Sequence, residues 1–276
     1  MRLNTVLALS TGLAALAFAT PAAAQSDDKP FEGLYIGATL GFDVQPNDVG
    51  ESISFDRNLD GTFGDTITTA AGADAFSTGF CNGQALAATR TPGCRNDRDS
   101  VSYSGRIGYD RQYGNIVVGV VGEFGDSQIR DSVTAFSITP AQYTMNREIN
   151  FSAGLRVRGG YAANKTLFYA TGGGAYARVN NYFRTSNTVN GFQSNGDSNA
   201  FGFAVGGGVE QKVSKNVSIG LEYLFTRLQD ADYRVRVSGG PATSPFTLGG
   251  AGGTDFKRSF EKFRYSSLRA TVAYRF

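Results

Sequence analysis

Apolar residues recur at every second position in eight separate stretches of this chain, the period of a β-strand and not of a helix. In residues 31–42, Leu34, Ile36, Ala38, Leu40 and Phe42 share one face, and Gly33, Tyr35, Gly37, Thr39 and Gly41 the other. Residues 101–110 set Val101, Tyr103, Ile107 and Tyr109 against Ser102, Ser104 and Arg106, and residues 116–124 set Ile116, Val118, Val120 and Phe124 against Val117, Gly119 and Glu123. In 149–161, Phe151, Ala153, Leu155, Val157 and Tyr161 oppose Asn150, Ser152, Arg156 and Arg158. The stretch 167–179 carries the run Gly172-Gly173-Gly174, which blurs its faces. In 199–210 Phe201, Phe203, Val205 and Val209 oppose glycines and Glu210, and in 217–225 Ile219, Leu221, Tyr223 and Phe225 oppose Ser218, Gly220 and Glu222. The last, 266–276, places Leu268, Ala270, Val272, Tyr274 and Phe276 opposite Ser267, Arg269, Thr271, Ala273 and Arg275.

The connections alternate in length. Residues 110–115, 162–166 and 211–216 are short and contain Gly, Asn or Lys, as turns do. Between them lie the long segments 43–100, 125–148, 180–198 and 226–262, read as structureless loops. Short turns at one rim and long loops at the other are the signature of a transmembrane barrel. Strands of about 9–13 residues suit a tilted crossing of the hydrocarbon core. Closure follows, because lipid offers no partner to an unpaired strand edge. The expected fold is all-β: an eight-stranded antiparallel transmembrane β-barrel with short periplasmic turns and long extracellular loops.

Charge decides which face looks inward. Arg106, Glu123, Arg156, Arg158, Glu210, Glu222 and Arg269 all sit on the polar, glycine-rich parity. Facing lipid, each arginine near the midplane would cost about 2–4 kcal/mol, and each glutamate less. The seven therefore point into the lumen, and Leu, Ile, Val, Phe and Tyr face the bilayer. A soluble ligand-carrying barrel would invert this arrangement. An eight-stranded lumen is barely wider than its side chains, so the four arginines and three glutamates are expected to pair. Such a network either plugs the lumen or lines a narrow polar path.

Composition narrows the function. Met1-Arg2, the Leu/Ala-rich residues 3–19 and the run Ala22-Ala23-Ala24 read as a cleaved signal peptide over residues 1–24, leaving 25–276 as one barrel domain. Of the 26 Lys and Arg, one (Arg2) falls in that segment, which leaves 25 against 24 Asp and Glu. That balance points to no nucleic-acid partner. The chain has no histidine, the commonest general base and metal ligand. No spacing suggests another catalytic set, so the chain is expected not to be an enzyme.

The segment Phe201–Leu228 (FGFAVGGGVEQKVSKNVSIGLEYLFTRL), with residues 167–176 (LFYATGGGAY) and the end Tyr274-Arg275-Phe276, resembles the small outer-membrane β-barrel family of Gram-negative bacteria, the immunogenic surface-antigen and opacity-like porin group. The resemblance implies an outer-membrane location in contact with lipid and lipopolysaccharide. It also implies that Tyr274 and Phe276 form a carboxyl-terminal signal for the barrel-assembly machinery. It names no single activity, since such proteins serve as structural surface proteins, weak porins or ligand binders.

Two features of the first long segment add chemistry. Cys81 and Cys94 are the only cysteines, and outside the cytoplasm they are expected to form a disulfide, worth about 3 kcal/mol of local ordering. Asp56, Asn58, Asp60 and Gly61 match the opening of a calcium loop. The twelfth position is Ile67, where that loop needs a bidentate Glu. An Asx-rich turn reads the same residues without metal. The expectation is a surface protein of structural or interaction role with a plugged lumen. A narrow porin for small hydrophilic solutes and loop-mediated ligand binding or adhesion are the alternatives.

Overall fold

The structure, a computed structural model, describes residues 29–46, 50–250 and 252–276. The expected signal peptide lies outside them. Eight long strands carry the framework: β1 (Gly33–Val44), β2 (Ser100–Tyr113), β3 (Ile116–Ser127), β4 (Ala141–Ala163), β5 (Thr166–Thr185), β6 (Ser198–Lys212), β7 (Val217–Gln229) and β8 (Lys262–Arg275). Each pairs antiparallel with the next, and β8 pairs with β1 from Tyr35↔Arg275 to Val44↔Ser266. The barrel is closed.

The short turns are tight because a left-handed residue sits in two of them. Gly114 (φ 59°) turns β2 into β3, and Asn164 (φ 53°) turns β4 into β5. Positive φ in a two-residue hairpin matches the twist of the flanking strands. The outer face is apolar as the alternation predicts: Leu155 is 68% exposed, Phe201 66% and Leu40 61%.

The strands run further than the alternation suggests, above all β4 and β5, with 23 and 20 residues. A membrane crossing uses about 9–11, so roughly half of each stands clear of the bilayer. The register slips between Arg178 and Val179, which face Phe151 and Ile149 and leave Asn150 as the extra residue of a bulge. A one-residue bulge moves the following side chains to the opposite face. Asn150, expected in the lumen, is exposed, and Ile149 is buried.

Above this bulge the long segments are not structureless, which corrects the sequence reading. Arg130–Ser137 folds back on β4, and Phe80–Asn82 adds to its edge. A second sheet has the order Gly191–Ser194, Val235–Ser238, Thr254–Arg258, Ile53–Asp56. Together these pieces enclose an aromatic core. Phe55 stacks on Phe76 at 4.5 Å, and Phe256 meets Phe55, Phe246 and Tyr143 edge-on or tilted at 4.9, 5.5 and 5.9 Å. The result is a cap seated on the long-loop mouth. Strands of four or five residues separated by Gly, Ser, Thr and Asp are too short for alternation to show.

Candidate functional site: the lumen and its capped mouth

The lumen is filled in layers. Nearest the short-turn rim, Phe31, Val117, Ala162, Leu167 and Tyr169 form an apolar floor. Above it, Arg158 grips Asp110 through Nε (2.8 Å) and Nη2, and Glu210 through Nη1 (2.9 Å). Arg275 reaches the same Asp110 at 2.9 Å, Glu210 at 3.5 Å, and the carbonyls of Phe31 and Gly33. The Tyr35 ring lies within cation–π distance of both guanidinium groups, 4.9 Å from Arg158 and 4.7 Å from Arg275. Gly108 makes room for that ring, since a Cβ there would fall 2.3 Å from Tyr35 Cζ.

Mid-barrel, Glu123 and Glu222 share three arginines. Arg106 Nη2 lies 3.1 Å from Glu123 and 3.0 Å from Glu222. Arg156 Nη2 stands at 3.1 and 3.4 Å from the same two. Arg269 pairs with Glu123 and stands 4.0 Å from Glu222, which also accepts the Tyr169 hydroxyl at 3.0 Å. Beside Arg269, buried Asp43 accepts hydrogen bonds from Ser102 and Ser127. Counted together, these groups are five arginines (106, 156, 158, 269, 275) and five carboxylates (43, 110, 123, 210, 222). Charge compensation of this kind is what makes buried ions tolerable.

All seven residues predicted for the lumen are therefore inside it, in two clusters. The sequence reading missed Asp110 and Arg275. Both share the inward parity, Arg275 with Arg269 and Asp110 with Arg106; Asp110 stood at the start of the expected turn 110–115, but the strand runs on to Tyr113 and the turn begins at Gly114.

A third layer closes the mouth. Ile129, Ile149, Ala177, Val179, Ala200, Leu228, Phe263 and Tyr265, all buried, form an apolar septum above the Glu123 cluster. Between septum and cluster lies a small cavity of about 30 Å³, bounded by Glu123, Arg156 and Arg269 on one side and Leu228 and Tyr265 on the other. Beyond the septum a further ion cluster ties cap to barrel. Arg258 holds Glu51 with two hydrogen bonds (2.8 and 2.7 Å) and Asp131 with one (2.7 Å), and Arg147 Nε holds Asp131 at 2.7 Å. Burial pushes the Glu51 carboxyl up to about 7 against the pull of Arg258. Burial and then the neighbouring Asp131 charge lift Asp97 to about 7. For Asp131 burial acts upward too, but Arg147 and Arg258 outweigh it and hold the group below the usual range.

The remaining candidates lie elsewhere. Cys81 and Cys94 are joined by a disulfide within the cap, Cα atoms 6.3 Å apart. The carboxylate of Asp56 accepts the amides of Asp60 and Gly61, and that of Asp60 accepts Thr62 N and Asn58 Nδ2, an Asx-turn geometry. Among the described residues no group of three or more His, Cys, Asp or Glu is arranged to hold a metal. Tyr274 and Phe276 stand on the lipid face at the short-turn rim, ring centroids 5.2 Å apart.

Comparison with known proteins agrees with this architecture. The family model described as outer membrane protein beta-barrel domain matches residues 10–276. The chain is 31% identical over 140 residues to a 22 kDa outer membrane protein of Rhizobium leguminosarum bv. viciae, covering 50% of this chain and 58% of that one. It is 28% identical over 125 residues to a 31 kDa outer-membrane immunogenic protein of Brucella melitensis, covering 45% and 52%. The matches thus span a little over half the length of these relatives. Among solved structures, the outer membrane protein OprG of Pseudomonas aeruginosa superposes with a TM-score of 0.49 at 12% identity, over 89% of this chain and 96% of that one.

Proposed function

This chain belongs to the outer membrane β-barrel protein family and resides in the cell outer membrane, and from that premise we propose that it is a sealed, non-catalytic surface protein whose working part is the cap. The observation that carries the reading is the stacking of two compensated charge clusters under an apolar septum, with only a small cavity between the septum and the upper cluster. A hydrated solute would have to break several buried ion pairs to pass, each loss leaving an uncompensated charge worth about 3–5 kcal/mol. A porin needs the opposite: a wetted path whose charges line a wall and do not meet across it.

In this reading the apolar belt contacts lipid and lipopolysaccharide, and Tyr274 with Phe276 engages the assembly machinery. The barrel is a stake that holds the cap outside the cell. The absence of histidine from the sequence favours binding over catalysis at the cap. Swelling of proteoliposomes in small sugars or amino acids tests the seal. The refolded protein should leave the vesicles as tight as protein-free ones, and swelling at the rate of an open porin would reject the reading in favour of a narrow porin.

A further inference from the structure

The cap has one place where the sheet is left open. Above the bulge, residues 181–185 of β5 pair with β4 on one side, while β6 stops pairing with β5 at Val179↔Ser198. Left-handed Gly196 (φ 85°) accompanies the departure of the chain, which has run as Gly191–Ser194 along Val235–Ser238. A cleft of about 710 Å³ lies between the two segments, lined by Asn181, Phe183, Arg184, Thr185, Phe192 and Ser194 among others.

Both walls of this cleft are strand edges. Ser186 N donates to Gln142 O, which fixes the parity of the β4–β5 ladder. In an antiparallel pair, alternate residues turn their N–H and C=O toward the partner and the rest turn them away. Tyr182 and Arg184 therefore face β4, and Asn181, Phe183 and Thr185 turn their backbone groups to the cleft. On the other wall Asn195 N donates to Arg234 O, so Gly191 and Gln193 face their neighbour while Phe192 and Ser194 turn theirs to the cleft. Across the floor the Phe183 and Phe192 rings meet at 5.2 Å. On the outer side Arg184 is exposed, its guanidinium 5.3 Å from the Tyr182 ring. Among the described residues no carboxylate lines the cleft.

We propose that this cleft binds an extended peptide segment of another protein by strand addition, pairing with both edges, with apolar residues over Phe183 and Phe192 and an acidic residue opposite Arg184. Main-chain hydrogen bonds supply affinity in such recognition and alternate side chains supply selectivity. Two facing edges choose the occupant. A strand that pairs on both sides must be free on both of its own, which a lone extended segment is and the edge strand of a second copy is not. The walls offer four and five residues, so the segment is about as long, roughly 15 Å at 3.3 Å per residue. The inference rests on the cap being the working surface and not on the lumen being sealed, so peptide binding and vesicle swelling fail independently.

The test uses the full-length protein in lipid nanodiscs and a fluorescein-labelled Val-Glu-Val-Glu-Val peptide, read by anisotropy. The parent and Ser194→Ala should bind alike, because alanine keeps the cleft-facing N–H. Ser194→Pro removes that N–H without touching the bonds to Val235–Ser238 and should bind about fivefold or more weakly. A backbone N-methylated peptide should not bind. In the parent protein the amides of Asn181, Phe183, Thr185, Phe192 and Ser194 should exchange fast alone and slow with peptide. No binding at millimolar peptide would overturn the proposal, as would equal binding of the N-methylated form or unchanged exchange at these amides. Protection of the same amides in a peptide-free dimer would overturn it too, assigning the edges to a second copy.

Discussion

The barrel and the cap are built from the same strands with opposite insides. In the middle of the barrel the buried side chains are chiefly arginine, glutamate and aspartate, between an apolar floor and septum, and the exposed ones are leucine, valine and phenylalanine. In the cap the order reverses, and Phe55, Phe76, Phe246 and Phe256 are inside. The two segments differ in solvent and not in secondary structure. Lipid makes the outward face of the barrel apolar and forces charge inward, where it must neutralise itself. Water does the reverse to the cap. Strand β4 crosses from one regime to the other: Arg158 and Arg156 point inward below the bulge, and above it Ile149, Met145 and Tyr143 lie buried. The bulge at Asn150 is the device that changes the inward parity between the two.

Several substitutions would break or sharpen this contrast. The largest effect should come from Glu123→Ala, which strips a partner from Arg106, Arg156 and Arg269. The barrel should lose about 3–5 kcal/mol, read as the midpoint of urea unfolding in micelles; a loss below about 1 kcal/mol would mean the ions are not compensating one another. Phe256→Ala should cost a comparable about 3–5 kcal/mol, but in the cap alone. Proteolysis should then remove the cap and leave the barrel strands whole, and loss of both together would show one cooperative unit. Leu155→Arg, outward at 68% exposure, should cost about 2–4 kcal/mol, although arginine one residue along the strand at position 156 is native.

A last effect is a pH dependence of the cap. Glu51 and Asp97, both near 7 in the folded state, titrate near 4 when unfolded. Facing them are Asp131, Arg147 and Arg258. Between those values the folded cap binds more protons than the unfolded chain, so its stability should rise as pH falls from about 8 to about 5. Below that window Asp131, held low by its two arginines, works in the opposite direction. A cap that melts at the same temperature at both ends of the window would argue against buried carboxylates at this junction.

How far the sequence was legible follows from the same contrast. The barrel was readable because a two-faced strand in lipid repeats its pattern over ten residues or more, and seven lumen charges fell out of parity alone. Asp110 escaped because its strand runs on to Tyr113, past the point where the alternation stops being apolar. The cap was not readable. Its strands, such as Ile53–Asp56 and Val235–Ser238, have four residues each, and their partners are far apart in sequence. Asn150 was misplaced because a bulge is invisible until the partner strand is known. Phe263 and Leu228, the middle of the septum, lay at or beyond the end of a recognised strand.

Planar-bilayer conductance of the refolded protein tests the central claim most directly, with the parent beside the exchange Glu123→Arg with Arg156→Glu. The parent should give no steady current above leak. The exchange keeps the net charge but puts a cation at position 123, where Arg106 and Arg269 now find a carboxylate, and should give flickering openings. Steady channels in the parent, unaltered by the exchange, would contradict a lumen closed by its own ion pairs.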